Sequence, residues 1–285
     1  MNSEENSNIL ENSGFIYIGD NCNAKCYFCF SKGNIFKTKQ EIFLLIDYYI
    51  GLGLSNIRYG MGEFTIHPDF FEILEYGKKK GINQFINTNG ITLSDNKFVE
   101  RLVLGGIKNI NVSLHGIHSL VSDKILGIKG AFKHTIKGIE NLKRNGISIS
   151  IAFVMTSDNI NQILGIYIFC LKNKISLLKI SILMGGKEYK GNIIPKLFLV
   201  QAELIKLIKL NSKVNLNIKL LNIPYCIISN NLQNYIFENG GNSVSHKLKD
   251  CEKCKFNNDC CGFPIYYKKN DFSKIIKTYV KNQFR

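Results

Sequence analysis

Along this chain, short apolar runs alternate with longer stretches whose apolar residues recur every three or four positions. FIYIG (15–19) reads as a buried strand, and KTKQEIFLLIDYYIGLG (37–53) as a helix ending at glycines. SNIRYG is a short strand, and HPDFFEILEYGKKKG a helix with Pro68 in its first turn, where a missing N–H costs nothing. INQFINTNG is a strand running into a turn; SDNKFVERLVLGG is a helix with Ser94 as its N-cap. The strand IKNINVSLHG, the helix GAFKHTIKGIENLKRNG closed by Gly146, the strand SISIAFVMTS, the helix SDNINQILGIYIFCLKN and the strand ISLLKISILM follow. These make about six β-α units, which predicts a parallel sheet with right-handed crossovers. The expected fold class is therefore α/β: a partial (β/α)6 barrel with a small C-terminal cysteine-rich extension. The expected organisation is a flexible tail over 1–13, the barrel over 14–200 and the cysteine-rich region over 201–285.

In such a fold, function gathers on the loops after the strands' C-terminal ends. Cys22, Cys26 and Cys29 follow the first strand, and Met61, Gly62 and Glu63 the second. Asn87, Thr88, Asn89 and Gly90 follow the third, and Ser113 and His115 end the fourth. All four groups should face one mouth.

Composition narrows the setting. With 285 residues, 45% of them hydrophobic, the chain reads as globular and needs no disulfide staples. No apolar run approaches the roughly 18 to 20 residues of a membrane span. The opening MNSEENSNILENSG has no apolar core of a secretory signal. The expected compartment is the reducing cytoplasm, where nine cysteines are metal ligands or redox groups rather than disulfides. The net charge of +15 would suit an acidic peptide or nucleic acid. Lys, Asn and Ile abound everywhere, however, and the basic residues are scattered. Biased codon usage explains this better than a dedicated nucleic-acid face.

The three cysteines of CNAKCYFC are spaced C-x₃-C-x₂-C. Thiolates are soft ligands and suit an iron–sulfur cluster. Three protein ligands on a four-iron cube leave one iron open to a small molecule. Zinc, the rival, would need a fourth ligand, and its local signatures usually begin with C-x₂-C pairs. A second group, CEKCKFNNDCCGF, holds Cys251, Cys254, Cys260 and Cys261, with Cys226 upstream in IPYC. Four of these thiols could close a second site, for iron–sulfur or for zinc. Cys170 reads as a core thiol in an apolar helical stripe. His115 reads as a hydrogen-bonded structural residue rather than a substrate contact.

CNAKCYFC resembles the signature of the radical S-adenosylmethionine (SAM) enzymes. GMGEFTIHPDF, NTNG, NVSLHG, DKILGIKGAF and RNGISISIAFVMT follow in that family's order, over about residues 14 to 185. The resemblance implies that Cys22, Cys26 and Cys29 ligate a [4Fe-4S] cluster whose open iron takes the amino and carboxylate groups of SAM. Reductive cleavage then gives methionine and a 5′-deoxyadenosyl radical that abstracts hydrogen from a substrate. It also implies that Phe28 lies near adenine and that Gly62 and Glu63 meet the methionine ammonium. Asn87 and Ser113 would contact the methionine part, and Met184 adenine. The motif departs from the family's Gly-Gly-Glu-Pro: here it reads Met61-Gly62-Glu63-Phe64. Methionine should narrow the space beside the ammonium, and the lost proline should loosen the turn.

The second cysteine group resembles an auxiliary-cluster extension of the Twitch or reduced SPASM type. Pro264 stands where a full SPASM pattern has another cysteine, so one additional cluster is expected, not two. The resemblance implies a peptide- or protein-modifying enzyme, served by a flavodoxin- or ferredoxin-type electron donor. A leader-binding domain is not expected before a barrel that starts near residue 14, so a separate recognition protein or another binding surface is expected. The alternatives are a nucleotide or other small-molecule cyclase of the molybdopterin-precursor type, and a non-catalytic iron–sulfur or nucleic-acid-binding protein on the same fold. The ending NQFR, in place of a Gly-Gly pair, counts against the cyclase. No catalytic side chain is assigned.

Overall fold

The computed structural model describes residues 13–29, 31, 33–183, 193–228, 235–238, 245–267, 272, 275, 276 and 279. Of the tail expected over 1–13, residues 1–12 lie outside those residues, as does the candidate adenine contact Met184, while Ser13 already opens the first strand. The chain forms two compact units and passes from one to the other within a strand, after Ala152.

The first unit is a run of β-α units. Strands β1 (Ser13–Tyr17), β2 (Asn56–Gly60), β3 (Asn83–Thr88), β4 (Asn109–Ser113) and β5 (Ser148–Met155) pair in sequence order, all parallel. Helices α1 (Lys39–Gly51), α2 (Phe70–Lys79), α3 (Asn96–Leu104), α4 (Ser119–Leu126) and α5 (Ala131–Arg144) connect them. Alternation along each strand sorts the side chains. Ile16, Ile57, Tyr59, Ile86, Ile110 and Ile151 point to the helix-covered face and are essentially inaccessible. Close packing on that face explains Gly14 and Gly77. A Cβ at Gly14 would fall 2.5 Å from the Tyr49 ring of α1, and one at Gly77 of α2 would fall 2.3 Å from Gln84 of β3. The opposite face carries Phe15, Tyr17, Arg58, Phe85, Asn87 and Asn111, none of them fully buried.

Two helix starts differ from expectation. Helix α3 is capped by Asp95, whose carboxylate accepts from Lys97 N at 2.9 Å, while Ser94 closes the preceding 3-10 turn. Helix α2 begins at Phe70, so Pro68 stands in the lead-in. The residue before a proline is pushed to extended backbone. His67 obeys, at φ −64 and ψ 132. Its ring then serves the entry: Asp69 N donates to Nδ1 at 3.0 Å, and Nε2 meets Lys37 O at 2.8 Å. Helix α1 has a full capping box between Thr38 and Glu41.

The second unit continues the alternation with α6 (Ile163–Lys172), β6 (Leu177–Ile182), α7 (Leu197–Asn211), β7 (Ile218–Leu221) and β8 (Ile236–Glu238). Strands β6, β7 and β8 pair in parallel. Short strands β9 (Ser245–His246) and β10 (Phe263–Pro264) pair antiparallel and bracket the second cysteine group. Cys170 is fully buried on α6, as expected of a core thiol. The fold class is the expected α/β partial barrel, with parallel strands β7 and β8 added to the six anticipated. Among the described residues no helix is long and apolar enough to cross a membrane.

Candidate cluster and SAM site

The cysteine loop leaves β1 and is pinned at its base. Gly19 bridges to Phe36, and Asp20 N donates to Ile35 O at 2.8 Å. The Asp20 carboxylate accepts from the hydroxyls of Tyr17 and Ser31, tying together the two ends of the loop. These hydroxyls hold Asp20 below the usual carboxylate range, that of Ser31 most.

The loop's far side rests on the end of α4. Lys25 N donates to Leu126 O at 2.8 Å and Tyr27 N to Ile125 O at 3.2 Å, while Cys26, Tyr27 and Phe28 pack on Ile125, Leu126 and Ala131. Gly127, at φ +68, permits this: a Cβ there would meet Lys25 O at 2.7 Å. Asp123 completes the cradle by accepting from Gly130 N and Phe132 N, both at 2.7 Å. The stretch DKILGIKGAF is thus a seat for the cysteine loop, a role its sequence did not disclose.

The three thiols are half-buried on this loop. Burial pushes the Cys22 thiol up and that of Cys26 to about 12. Without metal Cys22 and Cys26 are neutral thiols, so a cluster must displace their protons. Cys22 Sγ accepts from Ala24 N at 3.3 Å and faces Asn89 Nδ2 at 3.9 Å. Asn89 also donates to Asn23 Oδ1 at 2.7 Å, so the turn after β3 steadies the first cysteine. Phe28 sits edge-on to His115, with ring centroids 5.1 Å apart. His115 is 4% exposed, and burial lowers its pKa to about 4, so it is neutral at physiological pH.

The turn after β2 carries the altered motif. Met61 and Gly62 both lie in the left-handed region, at φ +64 and +60. A Cβ at Gly62 would come within 2.6 Å of Asn21 O and 2.7 Å of Gly19 O. Met61 adopts the conformation at a cost of about 1–2 kcal/mol. Glu63 N donates to Asn21 O at 2.8 Å. The Glu63 side chain is 1% exposed and turned inward. Its Oε1 accepts from the Thr65 and Thr88 hydroxyls at 2.6 and 2.7 Å, and Oε2 from Asn89 N at 2.7 Å. Burial pushes its pKa up against the pull of these donors. Glu63 therefore knits the β2 and β3 turns together.

Asn87 belongs to a ladder across the open face. Its Nδ2 donates to Tyr59 O at 3.2 Å, its Oδ1 accepts from Asn111 at 2.9 Å, and Asn111 in turn accepts from Ser150 at 3.0 Å. Ser113 ends β4, half-buried, paired in register with Ala152. The first unit thus brings Cys22, Cys26, Cys29, Phe28, Gly62, Glu63, Asn87 and Ser113 to the strands' C-terminal ends. Sequence reasoning missed Asp20 and the α4 seat. NTNG marked the position of Asn89 but not its work.

The second group is built in the second unit. Cys226 lies on the turn Tyr225–Ile227, Cys251 and Cys254 on and just after Lys249–Lys253, and Cys260 follows. Cys226, Cys251, Cys254 and Cys260 line one cavity with Tyr225 and Lys247. Tyr225 stacks on Phe256 at 4.6 Å. Gly262, at φ +74, donates its N–H to Cys260 Sγ at 3.5 Å. Cys261 is 4% exposed, donates to Gly262 O at 3.2 Å and does not line this cavity. The Cys261 thiol beside it draws Cys260 toward the thiolate, and Cys261 itself is pushed up. Tyr266 and Tyr267 donate to Leu183 O and Pro195 O at 2.8 and 2.6 Å. Both donor sets are thiol-only and fit iron–sulfur clusters.

Soft thiols on a loop after the first strand of a parallel α/β sheet define the class: an iron–sulfur enzyme on a partial barrel. The radical SAM superfamily pattern matches residues 16–170, and the chain belongs to that superfamily. Its cofactors are a [4Fe-4S] cluster and SAM. The chain is 31% identical over 159 residues to the Fe-coproporphyrin III synthase of Methanosarcina barkeri (strain Fusaro / DSM 804), covering 54% of this chain and 39% of that protein. It is 31% identical over 148 residues to the "Probable GTP 3',8-cyclase" of Saccharolobus islandicus (strain M.14.25 / Kamchatka #1), covering 50% and 47%. The chain thus spans less than half the length of these curated relatives. Among solved structures, anSMEcpe with bound AdoMet and Cp18Cys peptide shares the fold with a TM-score of 0.69, over 95% of this chain and 96% of that one, at 15% identity.

Proposed function

We propose that this radical SAM enzyme modifies a peptide or protein, using a SAM-binding cluster on Cys22, Cys26 and Cys29 and an auxiliary cluster on Cys226, Cys251, Cys254 and Cys260. When bound, the first cluster supplies the electron that cleaves SAM to methionine and a 5′-deoxyadenosyl radical. The protein's own residues hold and shield. The α4 seat fixes the cysteine loop, Phe28 offers its ring to adenine, and the Met61–Gly62 turn presents backbone to the methionine ammonium. Glu63 acts here by shaping that turn, since its oxygens already accept from Thr65, Thr88 and Asn89. Asn87 and Ser113 offer polar groups to the methionine part, and Met184 completes the set. Residues 14–200 would form the SAM barrel and 201–285 the auxiliary region. A separate recognition protein and a flavodoxin- or ferredoxin-type donor would serve it in the cytoplasm.

The observation that carries this reading is the seated loop of three half-buried thiols. The peptide substrate is supported by the likeness to peptide-bound anSMEcpe, which runs the length of both chains. A second reading, a small-molecule substrate, draws on the 31% identity to the coproporphyrin and GTP enzymes. The test is anaerobic reconstitution with iron and sulfide, then SAM and dithionite. 5′-Deoxyadenosine should form, and Cys26→Ala should abolish it. A fully clustered wild-type protein that makes none would sink the proposal.

A further inference from the structure

The open face of β1–β5 carries one charge. Arg58, in the middle of β2, is the only ionised side chain there among the described residues; the rest are aromatic, amide, hydroxyl, aliphatic or small. Strand register places it between Phe15 of β1 and Phe85 of β3. Its guanidinium carbon lies 5.9 Å from the centre of the Phe15 ring. Its Nε is shut off from solvent and has no hydrogen-bond partner among the described residues, and no acid of theirs pairs with it. Gly60, two residues on, lacks the Cβ that would come within 2.9 Å of Phe15 and 3.0 Å of Asn87. Arg58 thus sits three residues, about 10 Å, below the start of the Met61–Gly62–Glu63 turn, on the same face as the Asn87 ladder.

A cation held between aromatic rings with an unanswered N–H is costly unless something arrives to answer it. Composition adds weight. Arg58, Arg101, Arg144 and Arg285 are the only arginines among 37 basic residues, so arginine here departs from the chain's bias toward lysine. Guanidinium presents a planar fork that matches a carboxylate in a way a lysine ammonium cannot.

We propose that Arg58 recognises the substrate, taking one of its carboxylates on the inner face of the barrel. This rests on the radical SAM reading above and narrows its substrate class. The carboxylate could belong to a peptide's acidic side chain or to a small molecule.

The test uses the full chain, anaerobically reconstituted, with SAM present. Two probe pairs are titrated: a dansyl-labelled Glu-rich peptide against its Gln counterpart, and coproporphyrin III against its tetramethyl ester. The wild type should prefer the carboxylate member of one pair by about tenfold or more, and that pair names the source. Arg58→Gln should cut the preference to about threefold or less, with Arg58→Lys in between. Iron content and SAM affinity should stay within about twofold of wild type. If Arg58→Gln loses its iron, Arg58→Lys alone decides, because it keeps the charge and loses the fork. Absence of any carboxylate preference in the wild type, or its survival in the variants, overturns the inference. So does a tenfold loss of SAM affinity, which would assign Arg58 to SAM's own carboxylate. Failure of the wild type to make 5′-deoxyadenosine is a separate result and counts against the radical SAM reading instead.

Discussion

Met61 and Gly62 show how unequal two neighbouring residues can be. Both are left-handed, but only Gly62 has backbone oxygens where a Cβ would go. Gly62→Ala should cost about 1–3 kcal/mol in urea denaturation. Met61→Gly should change stability by less than about 1 kcal/mol, because relief of left-handed strain offsets the greater freedom of the unfolded chain. Methionine thus takes a left-handed place where the resembling motif has glycine. His115 offers a pH signature. Its folded pKa of about 4 lies below the ordinary 6.5, so between those values only the unfolded chain takes the proton. Stability from this residue is complete above pH 6.5 and falls as the pH falls, by about 2 kcal/mol at pH 5. Urea titrations of the cluster-free protein at pH 7.5 and 5 should show that loss in wild type and a smaller one in His115→Gln.

Helix starts in this protein are decided by which side chain the turn lets reach the first N–H groups. Ser94 and Asp95 are both good caps by type, and the sequence favoured Ser94. The 3-10 turn Thr92–Ser94 moves the start on by one residue, and the Asp95 carboxylate reaches Lys97 N. Asp95→Ala should cost about 1 kcal/mol and Ser94→Ala less than about 0.5 kcal/mol, read from thermal or urea unfolding. Equal losses would restore Ser94 as the cap. Helix α4 teaches the complementary lesson. DKILGIKGAF was legible as a motif, yet its carbonyls at 125 and 126 matter because Lys25 and Tyr27 dock on them. That docking joins residues about a hundred positions apart, and no local pattern encodes it.

At the scale of the whole chain, the two cysteine groups fall in separate compact units. Each unit should load its own iron. In a Cys22/Cys26/Cys29→Ala background the remaining iron should stay bound, and adding Cys260→Ala should remove it. Cys261→Ala should not, since Cys261 is not among the residues that line the cavity shared by the other four. Iron and zinc measured together by plasma emission would check both points, and zinc retained in place of iron would reverse the assignment.

Period-two and period-3.6 alternation settles element type locally, so the β-α order and the fold class could be read from residue order alone. Cysteine spacing, being a short-range matter, likewise announced the first cluster loop. Placement across strands is another kind of information. Glu63 turning inward to Thr65, Thr88 and Asn89, Arg58 standing between Phe15 and Phe85, and Cys260 rather than Cys261 joining Cys226 each depend on register and burial between distant segments. Those are fixed only when the strands pair and the core closes, because a side chain's partners and its access to water are properties of the packed chain.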